Sequence, residues 1–189
     1  MERDAYLTWS WQPLYDTCIM PASGIGRLNF FQVQRGAIGG GFSTCKTESE
    51  TNMYTGGQIG YPNQFLLYGF AAAIPESTSK EDRSAIKQGV FKFYSGWNRL
   101  QFESLMLNIP VNPIEDNEFF IEIDNKLGIT ELPYKTGFYY LLFPNQLPLL
   151  IDGGVYFKVE IGYPAGPVPL PSGKNCRVVV FMIGCKGND

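Results

Sequence analysis

Histidine is absent from the 189 residues of this chain. That one absence removes Ser-His-Asp and Cys-His nucleophilic arrangements, the usual zinc sites and the commonest general base. Charge is scarce too. Asp, Glu, Lys and Arg together make up 17%, where a soluble domain carries roughly a quarter. The 15 basic residues are scattered singly from Arg3 to Lys186, and the net charge is −3. The basic arm or stripe of a nucleic-acid binder is therefore missing. The cysteines Cys18, Cys45, Cys176 and Cys185 show no CxxC spacing. Cys176 and Cys185 fall on opposite faces of one strand and cannot pair with each other there. All four read as reduced, small core residues of a protein made in the cytosol. The start, MERDAYLTWSWQ, lacks the basic and apolar regions of a signal peptide. The longest apolar run, Phe65 to Ile74, is short of the ~20 residues that cross a bilayer, so no transmembrane segment is expected.

What is abundant is aromatic and apolar. Hydrophobic residues make up 44%, with 14 Phe and 11 Tyr. A chain of this length buries roughly 70% of its extended surface and folds without a disulfide or metal. With so little charge to cover the outside, some apolar surface is expected to meet another chain. Helix signals are confined to Ser79 to Lys87, where Ser79 can cap and Glu81 and Asp82 favour the positive end of the helix dipole.

Strand signals recur in short runs between Gly, Pro and Asn. They are Leu28 to Val33, Gln64 to Ile74, Val90 to Tyr94, Arg99 to Leu107, Glu118 to Asp124, Phe138 to Phe143 resuming at Leu149 to Ile151, Val155 to Ile161, and Arg177 to Ile183. The second and last are apolar on both faces, as interior strands of packed sheets are. Eight such strands predict an all-β fold: a two-sheet antiparallel sandwich, a single jelly roll with long Gly- and Pro-rich loops. The expected organisation is one domain over residues 1–189, with an N-terminal extension at 1–27, the sandwich at 28–184 and a tail at 185–189. Gln34 to Asn63 is a long Gly-rich stretch that either hides a strand near Phe42 to Lys46 or forms a loop ordered by a neighbour. Gly162 to Gly173, with its prolines, reads as an extended excursion.

Chemistry is hard to find. The segment GAIGGGFSTC matches neither phosphate-loop pattern and reads as a turning loop. Glu115, Asp116, Glu118, Glu122 and Asp124 lack a calcium-loop spacing, and three of them share the outer face of one strand. Lys46 after Cys45 and Arg177 after Cys176 are sequence neighbours only, so a cysteine nucleophile is not indicated. The catalytic, cofactor-binding and metal sites expected are accordingly none, and the chain reads as no enzyme. The aromatics Trp9, Trp11, Tyr15, Tyr54, Tyr61, Trp97, Tyr139 and Tyr140 suit core or interface packing. The alternative for them is a carbohydrate-binding sandwich that presents exposed Trp and Tyr rings.

Three segments carry a resemblance. RLNFFQV is trailed by a Gly-rich loop, TNMYTGGQIGYPNQFLLYGFAAAI leads into a long apolar strand, and VYFKVEIGYP is followed by CRVVVFMIGCKG. Their order resembles the jelly-roll capsid proteins of small tailless icosahedral bacteriophages. The chain is too short for two full jelly rolls, so the likeness is to a single-barrel subunit. The resemblance implies a structural shell protein without an active site or cofactor. Its partners would be copies of itself and other virion proteins, with no sequence-specific nucleic-acid binding. Its place would be the virion, after assembly in the host cytoplasm.

Overall fold

The computed structural model describes residues 8–96, 98–109, 141–142 and 148–188. Their strands are β1 (Thr8–Trp11), β2 (Leu14–Met20), β3 (Arg27–Phe30), β4 (Gln64–Ala73), β5 (Val90–Ser95), β6 (Arg99–Leu105), β7 (Leu141–Leu142), β8 (Leu149–Ile151), β9 (Phe157–Gly162) and β10 (Cys176–Asn188). One short helix, α1 (Lys80–Ile86), sits between β4 and β5. Ser79 caps it as expected, its hydroxyl accepting the Asp82 N–H at 3.1 Å. The expected strand at Glu118 to Asp124 lies outside the described residues.

All pairings are antiparallel, and they form two sheets. β1 and β2 lie consecutively along one side of β10, parted at Gln12-Pro13, where proline has no N–H to give a ladder. β7 and β8 likewise share one side of β4. Counting each of these pairs as one strand position among the described residues, the first sheet runs 1-8-3-6 and the second 2-7-4-5. First meets last, second meets seventh, third meets sixth and fourth meets fifth, which is a long hairpin rolled into two layers. This is the jelly-roll winding.

Period-2 alternation builds the core. In β9 Phe157, Val159 and Ile161 are wholly buried, while the outer Glu160 is held by Arg27 at 3.3 Å and Lys158 at 3.6 Å. In the first sheet Phe70 packs its ring on Phe91, Phe93 and Phe102 of the second, with centroids 4.9, 5.2 and 5.7 Å apart. These are favourable tilted and stacked distances for aromatic pairs. β4 reads as apolar on both faces because both are covered. Phe65, Leu67, Phe70 and Ala72 face the core, and Ala71 belongs to a second apolar cluster with Trp11, Tyr68, Phe181 and Ile183. The change of parity between Leu67 and Phe70 is a β-bulge. Ile183 pairs with Gly69 and Gly184 with Leu67, leaving Tyr68 as the extra residue. Gly184 is needed opposite it, since a side chain there would run into the Leu66 carbonyl and the Phe65 ring.

Two expected boundaries need correction. The N-terminal extension expected at 1–27 holds two strands, and β2 is among the most buried segments of the fold. It escaped because its inward row, Leu14, Asp16, Cys18 and Met20, contains a carboxylate. In the tail expected at 185–189, residues 185–188 are strand, because β10 continues past Gly184 to pair with β1. The stretch Gln34 to Asn63 contains only isolated bridges, Ile38 with Cys45, Thr51 with Asp16 and Gln58 with Tyr156. No strand is hidden near Phe42 to Lys46.

Because Phe70 joins both sheets at one point, truncating it cannot be absorbed by either sheet alone. Phe70→Ala is expected to cost about 3–5 kcal/mol, read as a lower midpoint in urea unfolding at unchanged slope.

Candidate functional site

The residues that sequence reasoning considered for chemistry do not converge. Glu115, Asp116, Glu118, Glu122, Asp124, Trp97, Tyr139 and Tyr140 lie outside the described residues. Trp11 and Tyr15 stand on the outer face of the first sheet, against Tyr68 and Phe181 at 6.2 Å each and tilted by 40° and 45°. Tyr54 lies instead under the Arg35 guanidinium at 4.5 Å, and Tyr61 is an exposed loop residue. Among the described residues no group of three or more Cys, Asp or Glu is placed to hold a metal ion. No helix of the described residues is long and apolar enough to cross a membrane. A shallow hollow beside α1, lined by Lys80, Arg83, Ser84, Lys87, Gln88 and Leu107, is open to solvent.

The thiols are free and unlike one another. Cys18 is buried, donates to the Asn29 carbonyl at 3.1 Å, and burial with the nearby Asp16 charge pushes its pKa up to about 12. Burial also raises Cys176 and Cys185. A raised thiol is a poor nucleophile because the thiolate is the reactive form. Cys45, expected in the core, is exposed, because the turn between Ile38 and Lys46 throws it outward.

The concentrated chemistry is a pair that sequence reasoning did not find. Asp16 and Lys46 have fully buried side chains, with Lys46 Nζ 2.7 Å from Asp16 Oδ1. Asp16 Oδ2 accepts the Phe31 N–H at 2.7 Å, and the Thr51 hydroxyl also reaches the carboxylate. Desolvation pushes the Asp16 carboxyl above its ordinary range, against the opposing pull of Lys46, Phe31 and Thr51. The Phe42 ring lies 5.7 Å from the Lys46 ammonium. Phe31 has φ +66°, a left-handed conformation that costs a bulky residue roughly 1–2 kcal/mol. Its N–H on the carboxylate offsets that cost.

Lys46 reaches Asp16 because the Gly-rich loop folds back along β2. Ile19 N–H donates to the Gly40 carbonyl at 2.7 Å. Tyr15 N–H donates to Asn52 Oδ1 at 2.9 Å, and Asn52 N–H returns to the Tyr15 carbonyl at 3.3 Å. Gly40, at φ +64°, leaves room for the lysine, since a Cβ there would lie 3.0 Å from Lys46 Nζ and 3.3 Å from Cys18 Sγ. Gly40 and Gly41 therefore serve close backbone approach to β2, and Gly39 to Val33. A further turn is fixed by Glu50, whose carboxylate accepts the Thr47 N–H at 2.8 Å and its hydroxyl. The recoverable signal was the period-2 row 14-16-18-20, in which an inward Asp demands a cation.

Two expectations follow. Lys46→Ala, which strands the Asp16 charge, is expected to cost about 3–5 kcal/mol, and Lys46→Met with Asp16→Leu less than that single change; chemical denaturation of both checks it. The bonds from Thr47 hold Glu50 below its ordinary pKa. Its contribution is then full above the unfolded-state value of about 4.3 and is lost as pH falls through the lower folded value. Glu50→Gln is expected to flatten the acid limb of the melting-temperature profile.

Comparison with protein-family models, with curated proteins and with solved structures gives no match.

Proposed function

We propose that this protein is a structural subunit of an icosahedral virus shell, of the kind built by small tailless bacteriophages. It would assemble with copies of itself and with other virion proteins in the host cytoplasm, and it would not be an enzyme. The observation that carries the reading is the jelly-roll order 1-8-3-6 and 2-7-4-5 in a chain whose polar chemistry is turned inward. The buried Asp16–Lys46 pair fixes a loop, as a scaffold's would.

Surface composition supports it. β6 is an edge among the described residues and carries a bulge at Gln101 with Arg99 and Glu103, yet Leu100 and Leu105 on it, and Leu107 just after it, are exposed. Leu150 on β8 and Tyr61 beside it are exposed as well. Isolated monomers guard sheet edges with charge, bulges or cover. Apolar side chains along an edge suit a chain that is covered by neighbours. A closed shell needs several such contacts on one subunit.

No observation favours the carbohydrate reading equally. Stacking on a sugar needs exposed rings presented together. Trp9 is exposed and shares the outer face of β1 with Trp11. But Trp11 and Tyr15 are half-buried and tilted against neighbours, and Tyr54 and Tyr61 are on separate parts of the loop.

The purified chain is expected to form oligomers or shells of defined symmetry, seen by light scattering and electron microscopy, with subunit contacts above about 1,000 Å². Leu105→Lys is expected to weaken assembly while leaving the unfolding midpoint within about 0.5 kcal/mol of the parent's stability. A monodisperse monomer at high concentration would overturn the proposal.

A further inference from the structure

The Asp16–Lys46 pair has the close geometry that a buried ion pair requires, and that geometry also sets an amine against an acyl group. Both side chains are fully buried, and Nζ lies 2.7 Å from Oδ1, an oxygen bonded to the carboxyl carbon. The other oxygen, Oδ2, is fixed by the Phe31 N–H at 2.7 Å. A backbone donor placed there stabilises the negative charge that develops when a nucleophile adds to the carboxyl carbon. The lysine end is confined by Gly40 and the Phe42 ring. Amine and acyl carbon are thus positioned by the fold.

From this geometry we propose that Lys46 and Asp16 condense into an intramolecular amide, an isopeptide bond that joins the Gly-rich loop to β2. The proton balance needs no outside reagent. The ammonium passes one proton along the short hydrogen bond to Oδ1, giving a neutral amine and a carboxylic acid. The amine lone pair forms the Nζ–Cγ bond, Oδ2 bearing the charge against the Phe31 N–H. The Cγ–Oδ1 bond then breaks, and Oδ1 leaves as water with a second proton from nitrogen. One amide N–H remains, and nothing is oxidised or reduced.

Solvation supplies the direction. In bulk water hydrolysis is favoured because the ammonium and carboxylate it yields are hydrated. In the core that hydration is missing, so the ionised pair is costly and the neutral amide is not. Desolvation raises the Asp16 carboxyl, which assists the proton transfer. This inference does not rest on the assembly proposal, because the bond would lie within one chain.

The test is the intact mass of the full 189-residue chain, followed by tryptic mapping. The expected mass is that of the sequence less one water. Cleavage after Lys46 should be lost, and a branched peptide should join residues 4–27 to residues 36–80. Lys46→Arg and Asp16→Ala should each restore the full mass. An unchanged mass after prolonged incubation of the folded protein would overturn the proposal. So would a loss of water that persists in either variant or maps to Asp152-Gly153, where cyclisation to a succinimide gives the same mass. The wild-type map decides the question even if both variants fail to fold.

Discussion

A lysine and an aspartate facing each other out of reach of water set the terms for one whole side of this molecule. Desolvating two charges costs several kcal/mol per ion, and only close geometry with further hydrogen bonds offsets it. Asp16 meets that condition through Lys46, the Phe31 N–H and Thr51. The consequence is positional. Phe31 is pinned where the chain leaves β3, and Lys46 is pinned midway along the loop that follows. With both anchored, the loop can run beside β2 and satisfy its outer backbone groups at Tyr15 and Ile19. An edge strand that would otherwise be open is covered without another strand.

The opposite constraint is the joint between the layers. Phe70 reaches three rings of the second sheet only because the bulge at Tyr68 switches the parity of β4. Without it, Phe65 and Leu67 would face the core and Phe70 the outside. The extra residue also places Tyr68 beside Trp11 in the outer cluster. One inserted residue therefore serves both faces of a strand that is apolar throughout, and it explains why Gly184 lies opposite.

What could be read from the sequence followed from how uniform each segment's surroundings are. β5 and β9 alternate, β4 and the body of β10 are apolar on both faces, and each run is bounded by turn residues, so all four were plain in the sequence. The capped helix α1 was equally plain, since Ser79, Glu81 and Asp82 act locally. β2 was not legible, because its inward row holds Asp16, whose partner lies 30 residues further on. The same long-range pairing hid the candidate site. No local pattern marks Lys46, and Gly40 and Gly41 before it look like slack where they pack closely against β2. Both domain-boundary errors share that cause. Pairing of the first strand with the last is the least local contact in a jelly roll, and composition near the termini does not reveal it.

These constraints make the sandwich asymmetric. Sheet order aligns the β2 and β3 side of the two layers, and the Gly-rich loop closes it around the ion pair. On the other side β6 belongs to the second sheet and β7 and β8 to the first, with Phe70 stacked on Phe102 between them. There, among the described residues, Leu100, Leu105 and Leu150 remain exposed. A monomer that invests a buried charge pair in covering one edge while leaving leucines along the other spends stability unevenly. The asymmetry is economical if the covered edge must never pair and the other edge is meant to be met. That division, more than low charge alone, is what the proposed assembly would use, with its contacts on the β6 and β8 side.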